Sequence, residues 1–423
     1  MIELDPNDPT NRPLGPPSPV PPDAVPLYGP RYQEDPAALF RELRREYGPV
    51  VPALLQGDIF AWLVMGYREL HQLFSDPQLF ARDPRIWNQW PNVPPDWPLI
   101  QYTAYQSSVL FGEGPAHQRR VDAISDALSG VDQFELRARC EEIADALIDE
   151  FAGSGKAELM TQYAYSMPVM AIAGLIGLSV GEVGDVARDL VTSLDGGEAA
   201  IPAYERVAGT MQRLVGAKRA EPGPDVTSRM LAHPAGLTDE ELFFDVLLLT
   251  LAAQEPTANW IGNTLQLMLT DDRFSLTLSG GRQSVGQALN EVMWENTPVQ
   301  NSLGRWATRD TQLGGRHIRA GDGLILGIAG ANADPYVRPA SVAGVPANNA
   351  HLTFAHGSHG CPHPAPELAE VIARTAVEVL LDRIPDVTLA VPAEQLTWRP
   401  SFQIRGMLSL PVTFAPASVA TGP

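Results

Sequence analysis

Two cysteines in 423 residues, Cys140 and Cys361, give no disulfide framework and fit a reducing compartment. Basic residues are scarce as well: 30 Lys and Arg stand against 50 Asp and Glu, a formal net charge of −20. That balance argues against nucleic acid and against an anionic membrane as partners. Lysine is nearly missing, with Lys156 and Lys218 alone, so an acidic partner would need a local patch of arginines. No signal-like segment and no apolar run of roughly 20 residues opens the chain. The expectation is a cytoplasmic protein without a membrane anchor. No internal repeat and no clear linker divide it.

Proline is plentiful, 39 residues, and crowds the start. Residues 1–30 therefore read as an irregular, poorly ordered arm, followed by a single domain over 31–423. A hydrophobic content of 44% is ample for its core. Apolar residues at helical spacing predict helices at 35–47, 67–75, 115–129, 133–153, 160–176, 181–194, 201–219, 239–270, 284–296 and 366–383. Strand-like stretches cover 50–64, 300–328 and 396–414, with turns at Gly57, Gly314-Gly315 and Gly321-Asp322. The fold class is mainly α with small β-sheets.

Chemistry concentrates near the C-terminus. Four of the eight histidines, His351, His356, His359 and His363, surround Cys361, and a helix opens just after it at Pro366. Orphan N–H groups and the helix dipole favour a thiolate in that place. Three readings of the cysteine stand: a thiolate ligand to haem iron, part of a zinc site, or an inert buried thiol. Zinc sites draw ligand pairs from two segments, and no second cluster is present.

The run Phe354-Ala-His-Gly-Ser-His-Gly-Cys361 resembles the haem-ligand loop of the cytochrome P-450 family, and the order of elements follows that family over nearly the whole chain. The resemblance implies the cytochrome P-450 fold, haem b bound through Cys361 with Phe354 beside it, and dioxygen activated to oxidise a small organic, secondary-metabolite-like substrate. It also implies ferredoxin and ferredoxin reductase as electron donors, for which Arg119, Arg374 and Arg383 are candidate docking cations. His117 and Arg120 share a helix face, since residues three apart are neighbours. With Arg305 and His359 they are the expected propionate contacts. Apolar and aromatic segments 87–105, 231–250 and 401–407 are the expected substrate pocket.

Several family features are altered. Thr238 to Glu241 forms a capping box for a run of apolar residues, roughly 45 Å long at 1.5 Å per residue. Within it Gln254-Glu255-Pro256-Thr257 matches the family's oxygen-binding helix, with proline where a proton-relaying threonine stands. Glu255, Gln254 and Thr257 are the candidate relay groups. Alternatively, Glu255 and Gln254 satisfy carbonyls freed by the proline kink. Trp294 occupies the place of the arginine that pairs with Glu291, and the loop 334–346 lacks the second arginine of that network. Glu291 is then exposed, protonated or paired elsewhere. After the cysteine, Pro362 and Pro364 remove N–H groups that face the sulfur in relatives, and His363 replaces a glycine. These departures keep a second class open: a haem-binding protein that uses peroxide, or a non-catalytic partner of another protein.

Overall fold

The computed structural model describes residues 5–195, 199–275, 282–339 and 348–416. Its contacts group into two units, each discontinuous in sequence.

The first unit holds Met1–Gln118, Trp294–Cys361 and Pro400–Arg405. Its labelled strands are β1 (Val25–Pro26), β2 (Val50–Leu55), β3 (Ile59–Val64), β4 (Phe80–Ala81), β5 (Ser302–Ala307) and β6 (Gly323–Leu326). They form one sheet in the order β1-β2-β3-β6-β5-β4. β2 and β3 make an antiparallel hairpin, turned by Gly57 and Asp58 at positive φ. Both strands are buried on both faces, and each Leu, Val or Ile so buried is worth about 1.5–3 kcal/mol. Helix α1 (Pro36–Tyr47) starts where the Asp35 carboxylate accepts from Ala38 N, with Pro36 at the first helical position. Its Leu39, Phe40 and Leu43 cover the sheet cluster. Helix α2 spans Tyr67–Ser75.

A bulge interrupts the pairing of β5 with β6. Leu303 opposes Ile325 and Arg305 opposes Leu324, so Gly304 is the extra residue. A bulge bends its strand and re-aims the neighbouring side chain, here Arg305.

The N-terminal arm is held in this unit. Arg12 and Leu14 donate backbone N–H groups to Arg85 and Ile86, and Ser18 Oγ donates to Asp322 at 2.5 Å. β1 then pairs in parallel with β2. Residues 5–24 hold no regular helix or strand, yet they are tied down by long-range bonds that their composition does not show. The tryptophans expected in a substrate pocket are core instead. Trp87, Trp90 and Trp97 are at most 3% exposed and pack on one another at 5.2 and 5.7 Å.

The second unit holds Arg119–Met293, Pro362–Arg399 and Gly406–Pro423. Helix α3 (Gly114–Ser129) begins in the first unit, and the rest is α4 (Gln133–Asp149), α5 (Ser166–Ile176), α6 (Val180–Asp195), α7 (Ala200–Ala220), α8 (Asp239–Thr270), α9 (Arg282–Glu295) and α10 (Ala365–Arg383). A three-stranded sheet joins 156–158, 388–389 and 411–413. The expected helix at 160–176 is split: Met160–Ala164 is a π-turn and α5 follows. A short helix, Val226–Ala232, was not expected. α8 runs 32 residues from a complete capping box at Thr238 and Glu241 and continues through Pro256. Among the described residues, no helix is long and apolar enough to cross a membrane.

Candidate functional site

In the first unit the cysteine loop closes on itself. Cys361 N donates to Phe354 O at 2.9 Å, and Gly360 N to Gly357 O at 3.1 Å. Ala355 and Gly357 adopt positive φ within the turn. A side chain at 357 would meet the Phe74 carbonyl at 2.5 Å, so glycine is needed there. Cys361 is exposed. Beyond it, Pro362 and Pro364 carry no N–H, and Ala365 N is spent on Pro362 O at 2.8 Å.

Beside this loop lies a cluster of polar groups. His117 and His359 stack with ring centroids 4.1 Å apart. The His117 nitrogens face the carbonyls of Val109 and Ser358 at 2.9 and 2.8 Å. His359 Nε2 faces Gly112 O at 2.9 Å, and its Nδ1 lies 3.1 Å from Ser358 Oγ. Burial, and then the nearby Arg305, push the His359 imidazole down to about 3, so it is neutral at pH 7. Arg305 is 1% exposed, and its Nε has no hydrogen-bond partner. Burial first, then Arg82, hold the Arg305 guanidinium well below its ordinary range, against the pull of Glu113. The structure thus brings His117, Arg305, His359, Phe354 and Cys361 into one unit. Sequence reading missed Arg82 and Glu113.

Arg120 is engaged elsewhere. In the second unit its guanidinium forks onto Asp245 at 2.5 and 2.9 Å, with both side chains buried. Arg120 was expected to turn to a propionate with His117, but a carboxylate 125 residues away holds the cation. The arginines expected to greet an acidic partner are also neutralised: Arg119 by Glu241, Arg374 by Glu370, and Arg383 by Asp145 and Asp149.

Gln254, Glu255 and Thr257 are all buried on α8. Gln254 Nε2 reaches outward to Tyr165 O at 3.5 Å rather than back to its own helix, and its residue borders a small apolar crevice with Val169, Ile172 and Leu190. Asn259 Nδ2 donates to Glu255 O at 2.9 Å, while its Oδ1 is buried without a hydrogen-bond partner. Gly406 makes room for that amide, because a Cβ would come within 1.7 Å of Oδ1.

Glu291 is buried and pairs with Arg273 at 3.5 Å, which answers how the carboxylate survives without its usual partner. In the first unit Trp294 donates from Nε1 to Asn348 O at 2.7 Å, lies edge-on to His351 and sits under Arg338. Part of the altered loop, residues 340–346, lies outside the described residues.

A buried guanidinium with an orphan Nε and two histidines, next to a loop cysteine, is a donor set for carboxylates beside a thiolate ligand. It fits the propionates and the iron of haem. No family model matches the chain. It is 29% identical over 401 residues to cytochrome P-450 monooxygenase PikC of Streptomyces venezuelae, covering 91% of this chain and 92% of that one. It is also 29% identical to a biflaviolin synthase of Streptomyces coelicolor, covering 92% and 95%. Among solved structures, CYP154C4 of Streptomyces sp. ATCC 11861 superposes with a TM-score of 0.83 at 27% identity, over 92% of this chain and 98% of that one.

The fold and the site define a haem-thiolate oxidoreductase. The chain has the cytochrome P-450 fold, is similar to bacterial members of that family over about nine-tenths of its length, and is a monooxygenase-type enzyme with haem b as cofactor. Bacterial members generally receive electrons from a ferredoxin and its reductase. When bound, haem supplies the iron centre for oxidation chemistry.

Proposed function

We propose that this enzyme uses dioxygen to hydroxylate or couple a small organic substrate of the secondary-metabolite kind. Curated relatives are named for such compounds, mycinamicin IV and biflaviolin among them. Cys361 is the assigned iron ligand, and His117, Arg305 and His359 are the assigned propionate donors, with Phe354 bordering the loop. Electrons come from a ferredoxin and a ferredoxin reductase, in the cytoplasm. Both contact units exchange chain repeatedly, which supports reading 31–423 as one functional domain.

The observation that carries the oxygen-using reading is Glu255, a carboxylate only 7% exposed in the middle of α8 and immediately before Pro256. A carboxylate held at that place beside the proline suits proton delivery. We assign it the delivery of protons, with Gln254 and Thr257 in support. Oxygen uptake and product formation, measured with a surrogate ferredoxin system, test this. Glu255→Ala is expected to lower turnover about a hundredfold with haem content unchanged; equal turnover overturns the relay.

Pro256 favours a second reading. It supplies neither hydroxyl nor N–H where relatives carry threonine. A peroxide-driven or non-catalytic haem protein accommodates that loss. Oxygen uptake coupled to product distinguishes the two, and the carbon-monoxide difference spectrum of the reduced protein tests thiolate ligation by Cys361.

A further inference from the structure

Arg82 follows β4 directly and is 8% exposed. Its Nη1 donates to Gly304 O at 2.7 Å and its Nε to Leu110 O at 3.3 Å. Arg305 Nη1 donates to the same Gly304 oxygen at 3.0 Å. Two buried guanidiniums therefore converge on one peptide carbonyl. Neither forms a salt bridge among the described residues. The carboxylate that bears on both is Glu113, whose Oε1 accepts from the Arg82 backbone N at 2.6 Å. Nearby Asp83 is bound to Arg85. The remaining titratable neighbours, His117 and His359, bring no negative charge.

Like charges at close range in a dry interior repel, and a buried cation without an anion costs several kcal/mol. The fold nevertheless builds this arrangement deliberately. The bulge at Gly304 frees its carbonyl as the common acceptor, and the missing side chain admits Arg82, since a Cβ there would lie 2.2 Å from Nη1. Two guanidiniums against one carboxylate leave an anion deficit. Haem b carries two propionates, and Arg120, the second cation expected for them, is locked to Asp245.

We infer that Arg82 is a haem-propionate residue of this chain, filling the place that Arg120 has left and sharing with Arg305 the anchor at Gly304. The inference rests on the haem assignment. It also gives the bulge a purpose: one carbonyl fixes two cations side by side, with no ion pair to exchange when the cofactor enters.

The experiment follows haem transfer from the purified holoprotein to excess apomyoglobin, with native haem and, after reconstitution, with haem dimethyl ester, which lacks the propionate charges. Arg82→Gln is expected to lose native haem about ten- to a hundredfold faster than the parent, the equivalent of one charged hydrogen bond. Arg82→Lys keeps the charge and is expected to fall between the two. With dimethyl ester the parent and Arg82→Gln are expected to release haem at the same rate. Gly304→Ala, which displaces the guanidinium while leaving arginine in place, is expected to behave as Arg82→Gln and serves if that variant does not fold. Native-haem loss in both variants within twofold of the parent, about 0.4 kcal/mol, overturns the inference. So does an acceleration that persists with dimethyl ester, because it marks a merely structural arginine. A parent that takes up neither haem overturns the haem assignment itself, and the inference with it.

Discussion

Arg82 and Arg305, 223 residues apart in the chain (305 minus 82), donate to one oxygen, the carbonyl of Gly304, at 2.7 and 3.0 Å. A single extra residue in β5 creates that meeting point. Four further consequences of the structure are open to measurement.

The loop after Cys361, the proposed ligand, is poor in donors. Of positions 361–365, two are prolines and two have N–H groups spent on carbonyls, those of Cys361 and Ala365. Fewer dipoles aimed at a thiolate leave it more electron-donating and the iron harder to reduce. Pro362→Leu, which restores one N–H, is expected to raise the reduction potential in spectroelectrochemical titration. An unchanged potential would sink the argument.

Arg120 and Asp245 are 6% and 0% exposed and held by two hydrogen bonds. Removing one partner strands a buried charge, at about 3–5 kcal/mol. Arg120→Met and Asp245→Asn are each expected to lower unfolding stability by that much. The double variant Arg120→Met/Asp245→Leu is expected to recover most of it. Additive losses in denaturant titration would show that the pair is not coupled.

Trp294 is committed: its indole donates to Asn348 O, and Arg338 sits 5.7 Å from its ring centroid. Glu291 already has Arg273. Trp294→Arg therefore brings a second cation beside Arg338 and forfeits aromatic packing, a loss of about 3 kcal/mol or more. Thermal unfolding of the holoprotein is expected to shift downward. A gain in stability would mean that the family's ion network can be rebuilt here.

His351 is pushed down to about 4 by burial, and its Nδ1 is buried without a hydrogen-bond partner. The unfolded chain takes up this proton near pH 6.5 and the folded chain only near 4, so the unfolded state binds more protons in between. Stability is full above the unfolded value and falls as pH drops through that window, by roughly 3 kcal/mol at 1.36 kcal/mol per unit. His351→Phe is expected to flatten the acid limb between those values. A limb of unchanged slope would assign it to other groups.

The sequence was most legible where the signal is local. The long helix announced itself through Thr238, Glu241 and the mostly apolar run that follows them. Arg82 was invisible because an arginine after a two-residue strand reads as a solvated surface group; only the bulge at Gly304 and the pairing of β4 with β5 bury it. Arg120 was misplaced for a similar reason. Helix periodicity gives a face, not the identity of the carboxylate across from it. The tryptophans at 87, 90 and 97 looked like pocket lining because aromatic composition does not distinguish a wall from a core.

The arm before α1 has one more consequence. β1 occupies the edge of the sheet beside β2, and Ser18 helps to satisfy a buried Asp322. Trimming the chain at residue 30 to obtain a tidier protein removes both. What remains is a raw strand edge, a row of unpaired N–H and C=O groups ready to zip onto a second molecule. Removing the proline-rich start is therefore expected to favour self-association.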